Sequence, residues 1–512
     1  MVAAENGALP GGKVGGIGDV IRDVPKALAA RGHQVTVVNP GYGFLSRLPS
    51  ARRLCSLTLE FAASLQEVTL FEIEAHGSGA GVRMLLLEHP LFAPGAEPAI
   101  YHHDRFEPFA TDARSFALFC HALCHALVTR AIPRPDVLHL HDWHASMVLV
   151  LRASHPAYRA LRALPTVFSI HNLSLQGIRP LQDNWSSLAS WFPGRSFPLQ
   201  AIRDPRYPDC LNLMRAGIRL ADKVHAVSPT YAREICLPSD PSMGLVRGEG
   251  LEGDLQEASE QGRLFGILNG CDYDNTAMRR PSHRQFVLSA MEALDSWAEQ
   301  PRQESLTLFR ALQRLHAWQA VRRKPGMVIG SVGRLSDQKI SLLRQPMPDG
   351  RPALDHMLGA FDQGVMILLG SGAVEHERFF LEMMARHEHF LFLNGFSEGL
   401  AEQLYSYCDL FLMPSTFEPC GISQMLAMRA GQPCLVHAVG GLVDTVEDGV
   451  NGFTFSGRDD PERARVFLQR LDEALQMRRE QPRAWQALVE SARAARFLWA
   501  DAARACEEQL YR

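Results

Sequence analysis

The sequence has no uninterrupted apolar run long enough to cross a membrane, and its beginning lacks the charged and then apolar pattern of a secretion signal. Neither sign of charge dominates, because 52 Lys and Arg residues stand against 56 Asp and Glu residues. This balance gives no reason to expect nucleic acid or an anionic membrane as a partner. The ten cysteines form no closely spaced framework, as is usual for reduced thiols. We therefore expect a cytoplasmic protein that binds neither nucleic acid nor membrane.

Internal repeats, low-complexity tracts and long disordered linkers are also missing. With 46% hydrophobic and 21% charged residues, the composition is that of an ordinary globular protein. A chain of 512 residues is too long for one hydrophobic core and predicts at least two large domains.

The stretch 409–448 gives the clearest pattern of secondary structure. An apolar run at 410–413 predicts a buried parallel strand, and a periodic apolar segment after the next loop predicts a helix that ends at Gly431. A second buried run, 433–436, leads into a glycine loop and another helix start. This alternation predicts a doubly wound α/β sheet, whose ligands bind beyond the carboxyl ends of the strands.

The two loops of this stretch carry groups suited to a ligand. Glu418 stands at the mouth of the first helix, whose free N–H groups can hold an anion or a sugar hydroxyl. Gly421 and Gly441 allow a ligand to approach the backbone closely, and Thr445 is placed to cap a helix or contact a phosphate. Alternatively, Glu418 only complements a helix dipole and the glycines only punctuate turns.

A second glycine-rich loop lies near the beginning of the chain. After a short apolar segment at Val2, residues 11–18 read Gly-Gly-Lys-Val-Gly-Gly-Ile-Gly and lead into a predicted helix. Such a loop binds diphosphate, with Lys13 as a mobile positive charge and the Gly15–Gly16 pair open to the ligand. The spacing is not GxGxxG, which disfavours a nicotinamide cofactor. Because the first strand is so short, we also expect the natural protein to begin upstream of Met1.

Histidines stand at the ends of two further predicted strands. His141 ends the strand 137–141, and the strand 165–170 ends in His171-Asn172, so these residues lie where a parallel sheet presents substrate contacts. His139 and His141 also have the spacing of metal ligands, but no third ligand is evident in the sequence. Four residues of one predicted helix have the i, i+4 spacing of zinc ligands, although helix packing explains them as well: Cys120, His121, Cys124 and His125.

In order along the chain stand the motifs KVGGIGDV, HDWHA, SIHNLSLQG, AGIRLADKVHAVSPTYAREI, GILNGCDYD, VGRLSDQK, LLGSG and PSTFEPCGISQMLAMRAGQPCLVHAVGGLVDTVED. Together they resemble the bacterial and plant glycogen and starch synthases over nearly the whole chain. The resemblance implies a GT-B fold, with two doubly wound Rossmann-like domains that face a central cleft. It also implies retaining transfer of glucose from a nucleotide sugar, usually ADP-glucose, to the non-reducing end of an α-1,4-glucan.

The resemblance assigns roles to individual residues. It implies no metal and no other cofactor, so that Arg334 and Lys339 neutralise the departing diphosphate from one domain and Lys13 faces it from the other. Glu418 then holds the glucosyl unit beside the Gly421 amide. His141 contacts the sugar near the reacting carbon through a backbone carbonyl. Front-face attack and a short-lived covalent intermediate both stay open for the transfer step.

The motifs also predict domain boundaries. Residues 1–275 form the first Rossmann-like domain on the acceptor side, 276–325 a helical connection, and 326–490 the nucleotide-sugar domain. Residues 491–512 form a helix that crosses back to the first domain, with Trp499 as its anchor; a plain amphipathic helix on the second domain is the alternative.

Several residues depart from the family pattern. Thr416 stands where the family usually has arginine, Leu426 and Leu175 each replace a tyrosine, and Ile340 replaces a glycine. The Trp-Asn-Pro expected after residue 272 is missing, and 344–351 is an insertion-like segment. Two alternatives therefore accompany the synthase assignment. One is a GT-B glucosyltransferase with another donor or acceptor, and the other is a catalytically degenerate subunit that binds glucan or regulates a partner.

Overall fold

The computed structural model describes residues 1–74, 81–95, 99–273, 280–298, 305–320, 324–360 and 364–512. The chain divides into two compact units. The first contains Met1–Ser239, Arg247–Asn269 and Trp499–Arg512, and the second contains Asp240–Val246 and Gly270–Leu498. These units group the predicted segments differently, because the described helices of 276–325 and residues 491–498 lie in the second unit. Residues 276–279, 299–304 and 321–323 of the predicted connection lie outside the described residues.

The first unit is built around a central sheet. Its strands are β1 Val35–Pro40, β2 Ala51–Phe61, β3 Ser64–Ile73, β4 Val82–Glu88, β5 Leu138–His141, β6 Thr166–Ile170, β9 Lys223–Ala226 and β10 Leu264–Gly266, with β7 Ile178–Pro180 and β8 Cys210–Asn212 in a separate ribbon. One half of the sheet has the order β1-β4-β3-β2 and the other the order β10-β9-β6-β5. The strands β1, β5, β6 and β9 are largely buried, as expected of parallel strands covered on both faces, whereas β2 and β3 contain many exposed residues.

Val2 joins the two halves of this sheet. It forms parallel bridges to Val38 of β1 on one side and to Leu140 of β5 on the other. The predicted first strand, Val2–Ala4, is thus present only as this double bridge. With Val2 as the first strand, the strand order reverses between Val2 and β5. The loop after Val2 and the loop after His141 therefore share the switch point at which open α/β sheets bind their ligands.

The second unit contains a six-stranded parallel sheet with the order β13-β12-β11-β14-β15-β16. Its strands are β11 Met327–Val332, β12 Gly364–Gly370, β13 Phe390–Asn394, β14 Leu410–Met413, β15 Cys434–His437 and β16 Gly452–Phe455. Numbered within the unit, this is the Rossmann order 3-2-1-4-5-6. The switch point lies between β11 and β14, so the loops after these two strands meet at one place.

Helices connect and cover the strands. In chain order they are α1 Gly16–Ala30, α2 Ala110–Val128, α3 Asp142–Ala145, α4 Met147–Ser154, α5 Leu188–Trp191, α6 Leu199–Ile202, α7 Leu213–Leu220, α8 Pro229–Glu234, α9 Glu252–Glu260, α10 His283–Ala298, α11 Ser305–Gln319, α12 Asp337–Arg344, α13 Ala353–Gly359, α14 Val374–Arg386, α15 Glu398–Tyr407, α16 Ser423–Arg429, α17 Gly440–Thr445, α18 Asp460–Glu480, α19 Pro482–Ala494 and α20 Trp499–Ala505. A π-helical turn, Cys506–Leu510, follows α20. Within the described residues, no helix is long and apolar enough to span a bilayer.

The predicted α/β class with doubly wound parallel sheets is confirmed by these strand orders. The strands β5, β6, β14 and β15 lie within one residue of the predicted runs 137–141, 165–170, 410–413 and 433–436. The predicted helix that ends at Gly431 is α16, which ends two residues earlier, at Arg429. Gly431 adopts a left-handed φ of 85°, which is the conformation that favours glycine after a helix.

Candidate active site

The switch point of the second unit brings together an ion pair between Lys339 and Glu418. Lys339 lies on α12, which follows β11, and Glu418 lies in the loop after β14. The Lys339 Nζ contacts Glu418 Oε2, which also accepts the Ser415 hydroxyl at 3.1 Å. The Glu418 side chain is only 8% exposed, whereas Lys339 is 29% exposed. A buried carboxylate is thus covered by a cation that solvent reaches.

Backbone contacts hold these two loops against each other. The Thr416 amide donates to the Gln338 carbonyl at 2.9 Å, and the Thr416 hydroxyl reaches the same oxygen at 3.3 Å. On the other side, His437 donates from Nδ1 to the Ser415 carbonyl at 2.8 Å. Burial lowers the pKa of His437 to about 4, so this donor is a neutral imidazole. Thr416, which departs from the family pattern, therefore serves as a backbone and hydroxyl link between the loops.

Arg334 follows β11 directly and is exposed. Its guanidinium has no hydrogen-bond or ion-pair partner among the residues that the structure describes. The turn that carries Arg334 packs closely against the end of β12, because a Cβ on Gly370 would lie 2.0 Å from the Gly333 carbonyl. The Leu335 amide also donates to the Ser371 carbonyl at 2.9 Å. The site thus has a second cation on a constrained turn.

The paired glycines at the start of α17 allow two loops to pack together. Gly440 has a left-handed φ of 47°, and a Cβ there would lie 2.0 Å from the Glu418 carbonyl. The Gly441 amide donates to that same carbonyl at 3.1 Å. The close approach predicted for these glycines is therefore made to the backbone of Glu418. The predicted contact of Gly441 with a ligand remains a prediction, and its amide already has a partner within the protein.

Gly421 and Thr445 differ in how accessible they are to a ligand. Gly421 is half-buried, with a left-handed φ of 74°, and its amide has no hydrogen-bond partner in the described part of the chain. Thr445 is buried, and its hydroxyl donates to the Gly441 carbonyl at 2.8 Å and accepts from the Gln424 amide at 3.2 Å. Gly421 is therefore open to a ligand, whereas Thr445 supports the glycine loops from below. This geometry gives no support to a phosphate contact by Thr445.

A cluster beside α12 has ligand atoms close enough for a metal ion. The side chains of Asp337, Glu375 and His376 approach within 4.8 Å of one another. Arg344, however, contacts His376 Nδ1 at 2.8 Å, and a guanidinium can only donate. The His376 proton therefore lies on Nε2 and faces Asp337 at 3.4 Å. In this tautomer His376 presents an N–H rather than a lone pair to Asp337, so hydrogen bonding accounts for the contacts of His376.

The glycine loop of the first unit is folded around the carboxylate of Glu5. Glu5 is buried, and its Oε2 accepts the amides of Val14 at 2.8 Å and Gly15 at 2.6 Å. Its Oε1 accepts the Tyr101 hydroxyl at 2.8 Å. The Gly15 amide, which was expected to face a diphosphate, therefore points inward to Glu5. Glu5 carried no motif signal of its own, because its partners are separated from it in sequence.

The same loop leaves Lys13 and Gly16 facing open space. Lys13 is exposed, and its Nζ contacts Asp19 Oδ1 at 2.7 Å on the first turn of α1. A Cβ added to Gly16 would meet nothing within 4 Å. Packing therefore does not require glycine at this position, which is consistent with the predicted approach of a ligand at the N-terminus of α1.

His141 and His171 end the neighbouring strands β5 and β6. His141 Nδ1 lies 2.9 Å from His171 Nε2, and the His141 Nε2 has no partner among the described residues. His141 is only 1% exposed, whereas His171 is half-buried. Burial lowers the pKa of both imidazoles, that of His171 to about 3. A ligand at this end of the sheet would thus meet the His171 side chain before that of His141.

Asp142 fixes the geometry of these strand ends. It has a left-handed φ of 56°, which is unusual for a residue with a side chain, and it is buried. Its Oδ1 accepts the His171 amide at 2.7 Å. Burial raises the pKa of Asp142 to about 8, although amides of His171 and Asn172 lower it. Asn172 is half-buried and turns its side-chain oxygen to the Ser174 amide at 3.0 Å.

Two residues with functional geometry were missed in the sequence: Glu5 and Asp142. Asp142 was within reach of prediction, since it directly follows the predicted strand that ends at His141. Of the four residues considered for zinc, Cys120 has a structural explanation. Cys120 donates to the His144 carbonyl at 3.2 Å, and burial raises its pKa to about 12, so its thiol stays protonated.

The family models match both halves of the chain. Residues 1–257 match the model described as starch synthase catalytic domain, and residues 318–487 match the model described as glycosyl transferases group 1. The first match covers the glycine loop and the histidines, and the second covers the loops of Lys339 and Glu418.

Curated relatives and solved structures agree with these matches. A glycogen synthase of Anaeromyxobacter sp. (strain Fw109-5) is 34% identical over 100% of this chain and 98% of its own length. A glycogen synthase of Streptococcus equi subsp. equi is 34% identical over 87% of this chain and 85% of its own. The catalytic domain of starch synthase IV from Arabidopsis thaliana, solved with ADP and acarbose, superposes with a TM-score of 0.74 at 27% identity, covering 99% of this chain and 97% of that one. This protein therefore belongs to the glycogen and starch synthase family of glycosyltransferases.

Proposed function

We propose that this protein elongates an α-1,4-glucan by transferring glucose from ADP-glucose to the non-reducing end, with retention of configuration. The family supports a nucleotide-sugar donor and a glucan acceptor. The choice of ADP-glucose rests on the ADP bound to the Arabidopsis relative and on the relation to glycogen synthases. The ten cysteines are free thiols, which supports a reaction in the cytoplasm.

The ion pair between Lys339 and Glu418 is the observation that carries this proposal. In the structure each group satisfies the other, with Ser415 as a further donor to the carboxylate. A nucleotide sugar offers both groups better partners at once. Lys339 would turn to the diphosphate, and Glu418 would accept hydroxyl groups of the glucosyl unit beside the free amide of Gly421. When Lys339 leaves for the diphosphate, the sugar hydroxyls would replace it, so that the buried Glu418 carboxylate keeps its hydrogen bonds.

Leaving-group stabilisation would come from side chains rather than from a metal or another cofactor. Lys339 and the exposed Arg334 supply two cations on constrained loops of the second unit. In the first unit we assign the exposed Lys13 and the open Gly16 to phosphate binding, with the Gly15 amide held by Glu5 in support of that turn. Cations that are fixed before the reaction stabilise the charge that develops on the leaving group, by roughly 3–4 kcal/mol for one donor.

The histidines at the ends of β5 and β6 would serve the sugar. The backbone near His141 would stabilise positive charge at the reacting carbon, and the half-buried His171 and Asn172 would contact sugar hydroxyls. Glu418 is held by Lys339 and Ser415, which suits a binding role more than nucleophilic attack. We therefore favour front-face attack in which a diphosphate oxygen accepts the acceptor's proton, with a covalent intermediate as the alternative.

The test is release of nucleotide from ADP-glucose and from UDP-glucose, each with glycogen and with maltose-series acceptors. The proposal predicts release from ADP-glucose that depends on the glucan, together with products lengthened by α-1,4-linked units. Glu418→Gln supplies an inactive comparison of nearly the same shape, and Lys26→Ala supplies an active one on α1. Preference for UDP-glucose would correct the donor alone. Glucan binding without release from either donor would replace the proposal with a degenerate, glucan-binding subunit.

A further inference from the structure

A chain of hydrogen bonds crosses the sheet of the first unit below the predicted site. The Tyr511 hydroxyl lies 2.7 Å from His139 Nδ1, and His139 Nε2 lies 2.6 Å from the Ser169 hydroxyl. That hydroxyl lies 2.7 Å from His225 Nδ1, and His225 Nε2 lies 3.4 Å from the Ile267 carbonyl. Four side chains, from three neighbouring strands and the segment after α20, are thus linked in series.

The last hydrogen bond of this series, at the Ile267 carbonyl, fixes the direction of every other one. The Ile267 carbonyl can only accept, so His225 carries its proton on Nε2 and its Nδ1 must accept from Ser169. Ser169 has then used its proton and must accept from His139 Nε2. His139 Nδ1 is therefore an acceptor, and the Tyr511 hydroxyl donates to it. One consistent arrangement of neutral tautomers satisfies all four contacts.

This arrangement reaches the reacting end of the sheet through His139. His139 precedes His141 by two residues on β5, so both side chains point to the same face of the strand. Their rings are stacked, with centroids 4.3 Å apart and planes 20° apart. His141 in turn contacts His171 at 2.9 Å. The orientation of the His139 ring therefore sets the surface against which His141 rests.

Separate contacts hold Tyr511 in place. The Lys223 ammonium, at the start of β9, donates to the carbonyls of Gln509 at 2.7 Å and Arg512 at 2.6 Å. Arg31, at the end of α1, pairs with Glu507 at 2.7 Å. The backbone around Tyr511 is thus anchored without help from its hydroxyl. Removal of the hydroxyl alone should leave the segment docked and change only the chain of hydrogen bonds.

We propose that Tyr511 is a positioning residue for glucosyl transfer: its hydroxyl orients His139, and through it the His141–His171 pair. The inference rests on the proposed function, because it assigns these histidines to the sugar. Tyr511 itself touches no substrate. Its loss would therefore affect the rate of transfer more than the binding of the donor.

The experiment compares Tyr511→Phe with Tyr158→Phe in the full-length protein. Tyr158 is a matched control, because it is a buried tyrosine of the same unit whose hydroxyl donates to the His121 carbonyl at 3.5 Å, away from the histidine chain. We expect Tyr511→Phe to lower kcat about 10-fold, with the donor KM unchanged within about twofold. Tyr158→Phe should keep both constants. A normal kcat in Tyr511→Phe, or an equal fall in both variants, would overturn the proposal.

A double variant tests whether the groups act in series. Ser169→Ala breaks the next link, so Tyr511→Phe combined with Ser169→Ala should be no slower than the slower single variant. Multiplied effects would show that the two residues act independently and would contradict the inference.

Nitrogen NMR of selectively ¹⁵N-labelled histidine gives a readout that does not depend on activity. The wild-type protein should show His139 as the Nε2–H tautomer, with its signals assigned by their loss in His139→Gln. Tyr511→Phe should shift the Nδ1 signal of His139 and also signals of His141, whereas Tyr158→Phe should not. If wild-type protein transfers no glucose, the proposed function fails, and these spectra still decide whether Tyr511 orients the histidines. Unchanged His139 and His141 signals would refute the orientation itself.

Discussion

Lys339 and Glu418 lie 79 residues apart in the sequence and form an ion pair at the switch point of the second sheet. The pair joins the first and fourth strands of a Rossmann order, which are neighbours in the sheet. Lys339 lies on α12, which follows the first of these strands, and Glu418 lies in the loop that follows the fourth. Loss of Lys339 would leave a buried carboxylate without its cation, whereas loss of Glu418 would leave an ammonium that solvent reaches.

Substitution of either member should abolish most of the activity. We expect Lys339→Ala and Glu418→Ala each to lower transfer by at least about 100-fold, near 2.7 kcal/mol of transition-state stabilisation. Both variants should remain folded, since each loop keeps its backbone contacts. Initial rates of nucleotide release, with Lys26→Ala as the comparison, measure the effect. A near-normal rate in either variant would refute the assigned role.

Loss of the Glu5 carboxylate should loosen the glycine loop. Glu5→Ala leaves the amides of Val14 and Gly15 and the Tyr101 hydroxyl without their acceptor, which should lower the free energy of unfolding by about 2–4 kcal/mol. Glu5→Gln keeps an oxygen and should cost less. Thermal unfolding and the donor KM test both statements. Equal stabilities of Glu5→Ala and the wild type would mean that the loop is held by other contacts.

Asp142 should make the stability of the protein fall as the pH rises. Burial raises its folded pKa from 3.8 to about 8, so between these values the folded state holds a proton that the unfolded state has released. Stability attributed to this group is present at low pH and is lost as the pH approaches 8, by at most about 1.4 kcal/mol per pH unit.

The comparison with Asp142→Asn isolates this contribution, because asparagine keeps an oxygen for the His171 amide and does not titrate. Buried histidines act in the opposite direction, and they are common to both proteins. Urea unfolding at pH 5, 6.5 and 8 should show a steeper loss in the wild type than in Asp142→Asn. Parallel pH profiles would contradict a protonated Asp142 in the folded protein.

Gly440 should tolerate no side chain. A Cβ there would lie 2.0 Å from the Glu418 carbonyl, and the left-handed φ of 47° adds backbone strain. We expect Gly440→Ala to lower the free energy of unfolding by more than about 1 kcal/mol and to lower activity by displacing Glu418. Gly399→Ala is the matched control, since it lies on α15 with nothing within 4 Å and should be neutral or slightly stabilising.

The sequence predicted those parts of the protein that depend on local patterns. Buried apolar runs located β14 and β15, and the resemblance to the synthase family assigned Lys339 and Glu418 to one site. Glycines marked the turns, although at Gly441 the close neighbour is the protein's own backbone. Such signals are local because a strand or a turn is defined by a few adjacent residues.

The contacts that depend on distant partners could not be read in the same way. Glu5 meets Tyr101 across 96 positions, and Tyr511 meets His139 across 372. Neither residue belongs to a motif, and each has a polar side chain that would be unremarkable on a surface. Thr445 is the opposite case, because its hydroxyl, predicted to cap a helix or contact a phosphate, contacts Gly441 and Gln424 within the protein, and the phosphate contact stays a prediction.

The first unit is discontinuous, since Trp499–Arg512 follows the whole second unit in the chain. During translation the ribosome must therefore synthesise the second unit before the first can be completed. Until then, His139 lacks the hydroxyl of Tyr511, and Lys223 lacks the carbonyls that it binds. A chain interrupted after residue 498 would retain Lys339, Glu418 and every residue of the glycine loop. By the inference drawn for Tyr511, it would nevertheless be a poor catalyst, so that efficient transfer is reserved for chains whose synthesis has passed Tyr511.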